Sequence, residues 1–310
     1  MKAIMYHYVR PAAKEYPSLR YLHIDDFKLQ LGYLKENYDI LDGNEFAKTL
    51  QGHIALKNKA VLTFDDAFKD HYSYVFPVLK KANLKGMFYV PTLPYVERKL
   101  LGVHRIQLLI GKFGGQKIYE TVTRLVTDDM LLHNHVEGFH KMPYRIRADD
   151  NYTKNIKKIL NYHLDHELLT SVLDELMNIF LPNEKELVDE FYMTEKEICQ
   201  LHDYGMVIGG HTVNHFVMSK LTVEQQKREI EDSFAFLESV ITSFYLKTFS
   251  YPFGGFHTFT NDTIQLLNNI SCDFSFNVEA REISQKDLSM GIQRLPRYDC
   301  NVFPYGKCRN

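Results

Sequence analysis

The sequence predicts an α/β fold built on a parallel sheet or barrel, with a helical segment inserted into it. Three observations carry this. In both flanks of the chain, short apolar β-like runs alternate with helical patterns. The middle, from about residue 101 to 190, has few such runs and several helical ones. With 310 residues and 45% hydrophobic composition the chain can bury a substantial core, and α/β barrels of this length are often single domains. One domain over 1–310, interrupted by the insertion at about 101–190, is therefore expected.

Taken in order, the expected strands are residues 3–9, 60–64, 86–90, 207–209, 248–251, 274–278 and 291–297. Between them, 24–36, 72–82 and 222–240 read as helices. Thr194-Glu195-Lys196-Glu197 has the form of a capping box, and Gly205 would end the helix it opens. Thr222-Val223-Glu224-Gln225 is a second box, followed by Ile230, Phe234, Leu237 and Val240 at helical spacing. That stripe reads as core packing. In the insertion, 106–109, 118–125, 155–164 and 168–180 are helical, and Leu181-Pro182-Asn183 is a stop. Ile156, Ile159 and Leu160, like Leu169, Leu173, Leu176 and Phe180, form apolar faces that must be buried, beside the barrel mouth or in a subunit contact. His133, His135 and His140 have no carboxylate at a telling spacing and read as surface or loop histidines.

Composition removes several functional classes. Lys+Arg 37 against Asp+Glu 39, with no block of like charge, gives no electrostatic case for nucleic-acid or membrane-surface binding. No apolar run approaches bilayer length, so no integral membrane segment is expected. Cys199, Cys272, Cys300 and Cys308 form no CxxC and read as reduced thiols. The opening Met1-Lys2-Ala3-Ile4-Met5-Tyr6-His7 lacks the apolar core of a secretory signal, so a cytoplasmic location is expected.

The chemistry sits at two strand ends. Val61-Leu62-Thr63-Phe64 runs into Asp65-Asp66, and Met206-Val207-Ile208 runs through Gly209-Gly210 into His211-Thr212-Val213-Asn214-His215. Neighbouring Asp residues on a strand face opposite sides, so both reach one site only if the strand ends there and the backbone turns. His211 and His215, four apart, can share a face on a helical turn or in a tight loop. Thr212 stands where a zinc protease of the HExxH type needs its Glu, which argues against that class. One Asp and two His are donors a borderline divalent metal accepts, and three protein ligands leave a position for water. The other Asp is then available as a base.

Together these motifs resemble those of the polysaccharide deacetylase family, the NodB-homology or carbohydrate esterase family 4 enzymes. Thr63-Phe64-Asp65-Asp66 matches T-F-D-D-G, with Ala67 for Gly, and His211–His215 matches H-[ST]-x-x-H. Pro252-Phe253-Gly254 matches the end of R-x-P-[YF]-G, with Ser250 at the Arg position. Leu295-Pro296-Arg297 is the nearest counterpart of L-x-H, with Arg for His. The resemblance covers both flanks and implies a distorted (β/α) barrel. It implies that Asp66, His211 and His215 bind a divalent metal, with zinc the expected ion, that Asp65 is the general base, and that the Phe253 N–H faces the developing oxyanion. Departures in the third and fifth motifs leave the base without its usual Arg. Arg297 is then expected to supply the guanidinium, in preference to Arg294, because alternation puts it on the side of Leu295. A surface pairing of Arg297 with Asp299 is the competing possibility. His7 and His257 are candidate proton donors. The implied activity is N-deacetylation of an amino sugar, expected to be a nucleotide- or lipid-linked intermediate of surface-glycan assembly. An amidase acting on a non-sugar C–N bond and a non-catalytic metal-binding module are the alternatives.

Overall fold

The computed structural model describes residues 1–12, 19–52, 55–131 and 150–309, with backbone alone for 161–162. They fall into two compact units. The first takes Met1–Ala12, Arg20–Arg98 and Val188–Arg309, and carries the sheet. Its strands are β1 (Lys2–Tyr6), β2 (Val9–Arg10), β3 (Leu22–His23), β4 (Asp39–Ile40), β5 (Lys59–Phe64), β6 (Met87–Val90), β7 (Val207–Gly210), β8 (Thr248–Ser250), β9 (Phe274–Phe276) and β10 (Tyr298–Asp299).

The main sheet runs β10-β1-β5-β6-β7-β8-β9, with β4 paired to the first half of β5, and every pairing is parallel. It curls until one segment meets both edges. Leu295 bridges to Phe276 of β9, and Tyr298 pairs with Ile4 of β1. Residues 295–299 thus close a distorted barrel. Parallel strands covered on both faces read as unbroken apolar runs, which is why 60–64 shows no polar alternation. The period of two survives in the packing. Ile4, Tyr6, Leu62, Phe64, Phe88 and Ile208 share one core with helical residues such as Phe27, Leu79 and Ile198. Ala3, Val61, Met87, Tyr89 and Val207 fill a second with Phe46, Phe276 and Leu295. Val61, Thr63 and Asp65 therefore follow one another along the inner face.

The helices of this unit are α1 (Ile24–Asn37), α2 (Gly43–Leu50), α3 (Phe76–Lys81) and α4 (Leu93–Val96) before the insertion. The second unit, chiefly Lys99–Leu187, is helical in its described part: α5 (Gly102–Phe113), α6 (Gly115–Leu125), α7 (Asn151–Lys158) and α8 (His166–Phe180). The expected insertion overlaps it. Ile156, Leu160, Leu173 and Leu176 are buried there. Arg105 is gripped by both Glu184 oxygens, at 2.6 and 2.7 Å, and by Asp174 at 2.8 Å. His133, His135 and His140 lie outside the described residues. The chain continues with α9 (Glu184–Phe191), α10 (Glu195–Asp203), α11 (Val223–Val240), α12 (Asn261–Asn269) and α13 (Gln285–Met290). Both expected capping boxes form, Thr194 with Glu197 and Thr222 with Gln225, and Gly205 takes φ 87° after α10.

Two expectations need correction. Residues 291–297 are not a strand. A Ser284–Asp287 capping box starts α13 just upstream, Gly291 leaves it at φ 114°, and pairing resumes only at Leu295 and in β10. The helix expected at 72–82 opens as a π turn, His71–Val75, before α3. Pro77 explains the widening, because it has no N–H to return to the Ser73 carbonyl. None of the four cysteines is joined in a disulfide.

Candidate active site

The Asp pair shares a site because β5 stops. Phe64 is its last residue, the Asp65 N–H still reaches the Tyr6 carbonyl at 3.0 Å, and then the chain turns left-handed at Asp66 (φ 76°) and Ala67 (φ 54°). A non-glycine residue there costs roughly 1–2 kcal/mol. The strand end accepts this strain in order to present both carboxylates.

The His pair is set in the same way. At Gly209 of β7 a Cβ would lie 2.6 Å from the Tyr89 ring and 2.8 Å from the Thr248 carbonyl, so only glycine lets β7 lie this close to its neighbours. Beyond it, Thr212 and His215 adopt φ 64° and 58°, so the two imidazoles are gathered by a tight loop and not by a helix. The His215 N–H donates to Thr212 Oγ1 at 2.9 Å. Glu229 of α11 braces the loop from behind, accepting from the N–H groups of Val213 (2.9 Å) and Asn214 (2.8 Å) and from Asn214 Nδ2 (2.5 Å).

Asp66, His211 and His215 converge. Each offers one buried donor atom, all within 4.8 Å of one another. Asp66 Oδ1 stands 3.4 Å from His211 Nε2 and 3.5 Å from His215 Nε2. These separations exceed the roughly 2.7–2.9 Å of a charge-assisted N–H···O bond. Two donor atoms that each lie about 2.0–2.1 Å from a shared ion can stand this far apart. His211 Nδ1 lies 2.6 Å from the Ser250 carbonyl. Donating to that carbonyl fixes the tautomer and leaves the Nε2 lone pair toward the cluster, as a metal-binding imidazole requires. Donor types, spacing and orientation fit a divalent cation.

Asp65 lies beside the cluster in a different setting. Arg297 donates Nη1 to Asp65 Oδ1 at 2.8 Å and Nη2 to Oδ2 at 2.7 Å. The same guanidinium reaches Thr63 Oγ1 at 3.0 Å and Ser250 Oγ at 2.7 Å, while the Ser250 hydroxyl donates to Asp65 Oδ2 at 3.2 Å. Arg297 is 0% exposed and lies over the Tyr89 and Phe276 rings, inside the barrel and not at the surface with Asp299. Burial alone would raise the Asp65 pKa, but the guanidinium more than offsets it and holds the carboxyl below its ordinary range. Arg294, the competing cation, is only half-buried.

Two further residues, Phe253 and His7, adjoin the cluster. Phe253 takes φ 61° and its ring lies 5.0 Å from that of His215, so the third-motif turn adjoins the cluster. His7, past the end of β1, brings Nε2 to 4.0 Å from Asp66 Oδ2 and remains partly exposed. His257 lies in a 3₁₀ turn, Phe256–Thr258, where its carbonyl accepts from Ser219 Oγ at 2.6 Å.

The His7 backbone is held by His71, whose Nε2 lies 2.8 Å from the His7 carbonyl, among the rings of Phe64, Phe68 and Phe88. Burial lowers the His71 pKa to about 4. The unfolded chain takes up this proton near pH 6.5 and the folded chain only near 4, so the His71 contribution is complete above about 6.5 and falls away as pH drops to 4. The loss is expected to be of order 3 kcal/mol. Urea unfolding of wild type and His71→Asn at pH 7 and pH 4.5 tests it. The variant should lose less stability between the two, and equal losses would refute this account.

Fold and site define a class: a carboxylate clamped by a guanidinium, next to an Asp–His–His donor set, at the C-terminal ends of parallel barrel strands, where such barrels place their chemistry. The family model described as Polysaccharide deacetylase matches residues 55–175 and 146–274, together more than half of the chain. The chain belongs to the polysaccharide deacetylase family. No curated protein matches it. Among solved structures, it is similar to the Streptococcus pyogenes deacetylase PplD in complex with acetate, at 17% identity and a TM-score of 0.61, over 99% of this chain and 95% of that one. It is also similar to IcaB from Ammonifex degensii, at 17% identity and a TM-score of 0.58 over 96% and 90% of the two chains. A de-N-acetylase from Aggregatibacter actinomycetemcomitans aligns at 13% identity and a TM-score of 0.52, over 96% and 93%. At these identities the likeness speaks for the fold.

Sequence reasoning missed the Thr63 and Ser250 hydroxyls that seat Arg297, and it missed Glu229. A signal for Glu229 was available: it lies on the inward stripe of α11 with Gln226, Ile230, Ser233, Phe234 and Leu237, where a carboxylate needs a partner.

Proposed function

We propose that the protein is a metal-dependent N-deacetylase that removes the acetyl group of an amino sugar. The observation that carries this reading is the pairing of two sites: a buried Asp–His–His donor set gathered within 4.8 Å, and next to it a buried carboxylate kept ionised and aligned by Arg297. Zinc suits two imidazoles and one carboxylate. Bound there, it would supply Lewis acidity, making water a better nucleophile and polarising the acyl carbonyl.

The chain's own residues do the rest. Asp65, oriented by Arg297 and Ser250, takes the proton from water as it attacks the amide carbon. The Phe253 backbone N–H donates to the oxygen on which charge develops. His7, partly exposed and facing the cluster, gives a proton to the departing sugar nitrogen. His211 is kept in one tautomer by the Ser250 carbonyl, so one residue serves both halves of the site: its carbonyl orients a ligand and its hydroxyl orients the base.

The substrate class follows from the family, and a nucleotide- or lipid-linked sugar is the narrower proposal. Acetate release should be measured from nucleotide-linked, lipid-linked and polymeric acetamido sugars and from acetylated non-sugar amines, with metal-stripped and zinc-loaded protein. Zinc-dependent release from an amino sugar is expected, with about one zinc per chain that is lost in Asp66→Ala, His211→Ala and His215→Ala. Zinc retained in all three variants, or release confined to non-sugar amides, would sink the proposal.

A further inference from the structure

The structure assigns to Glu229 a positioning role: its buried carboxylate holds the 211–215 loop in the strained shape that brings His211 and His215 to a metal. This rests on the metal reading proposed above.

The argument starts from strain. Thr212 and His215 are non-glycine residues in the left-handed region, at φ 64° and 58°. Such conformations are costly and persist only where the surroundings over-determine them. Part of the restraint comes from the neighbouring loop, where the N–H groups of Thr92 and Leu93 donate to the carbonyls of Thr212 and Val213 at 3.1 and 3.0 Å. These bonds fix the carbonyl side of the loop. The N–H side converges on one carboxylate, with both Val213 and Asn214 donating to Glu229 Oε2 and the Asn214 side chain donating to Oε1.

Two successive backbone N–H groups on one oxygen form an anion-binding concavity, here filled by the protein's own side chain. Glu229 is 7% exposed and belongs to the 18-residue helix α11, whose neighbours Ile230, Phe234 and Leu237 are buried. Its carboxylate is thus carried on a rigid element. It touches neither Asp65 nor the donor atoms of the cluster in any of these contacts, so it acts through the loop.

Zinc affinity by chelator competition, together with amide hydrogen exchange at Val213 and Asn214 in metal-free protein, tests the assignment. Glu229→Gln keeps size and shape but turns one acceptor into a donor facing N–H groups. It is expected to weaken zinc binding roughly 10- to 100-fold, the usual effect of losing an outer-sphere support, and to speed exchange at both amides. Asn214→Ala removes one of the loop's contacts with Glu229 and should fall between it and wild type. A residue that merely stabilised the fold would lower the melting temperature and leave affinity unchanged. Glu229→Gln with wild-type zinc affinity, in a protein where His211→Ala abolishes binding, overturns the inference alone. Wild type binding zinc no better than His211→Ala overturns the metal reading and this inference with it.

Discussion

Asp65→Asn is expected to lower acetate release by roughly 10²- to 10⁴-fold, the range that a positioned general base contributes, while zinc content stays at the wild-type level. The substitution preserves the outline of the side chain and leaves Asp66, His211 and His215 untouched. It replaces one acceptor oxygen by an NH2 group that faces Arg297, which has only donors to offer. Chemistry and alignment are therefore lost together. Single-turnover rates with bound substrate, measured beside metal content, isolate the chemical step. Undiminished single-turnover release would exclude Asp65 as the base. Parallel loss of zinc and activity would instead place it in the metal site.

The second large effect is expected at Arg297. The guanidinium is fully buried and meets both Asp65 oxygens with two parallel N–H bonds at 2.8 and 2.7 Å. Arg297→Lys keeps the charge but not the planar fork, and cannot serve Asp65, Thr63 and Ser250 at once. A fall in kcat of roughly 10- to 100-fold is expected, by analogy with other outer-sphere supports, with KM nearly unchanged, because the guanidinium is fully buried and presents no surface to a sugar. Arg297→Ala should cost more. It strands a buried carboxylate, a change that typically costs about 3–5 kcal/mol of stability, and a melting curve will register it. Wild-type kinetics in both variants would reduce the pairing to a structural one.

The Arg297 prediction starts from a departure in the sequence, and it shows how far sequence reasoning reaches. Ser250 at the usual Arg position said that a cation was missing, and alternation about Leu295 favoured Arg297 over Arg294. The contact itself depends on barrel closure, because Arg297 is 232 residues from Asp65 along the chain. No local pattern encodes that. Strand 60–64 was legible because two-sided burial leaves a run apolar at every position but Thr63, and the helix after Thr222 because its box and stripe agree. The segment 291–297 was misread because an apolar-looking stretch was serving as the irregular approach to β10. Helix α2 went unnoticed although Asp42 and Glu45 form a capping box, because Gly43, Asn44 and Thr49 are weak helix formers. The Asp and His motifs gave the donor set, whereas its supports, Glu229 and the Ser250 carbonyl, are set by tertiary packing.

The closing segment also bears on how the protein is made. Residues 295–299 are synthesised after every other strand of the sheet, yet they supply both the last edge contacts and the cation for Asp65. Until they emerge from the ribosome, β1 and β9 are open edges able to pair with other chains, and the Asp65 carboxylate has no guanidinium to meet it. A nascent chain stalled before residue 295 should be both sticky and inert. Emergence of residues 295–299 would then seal the barrel and bring the guanidinium to Asp65 in one event.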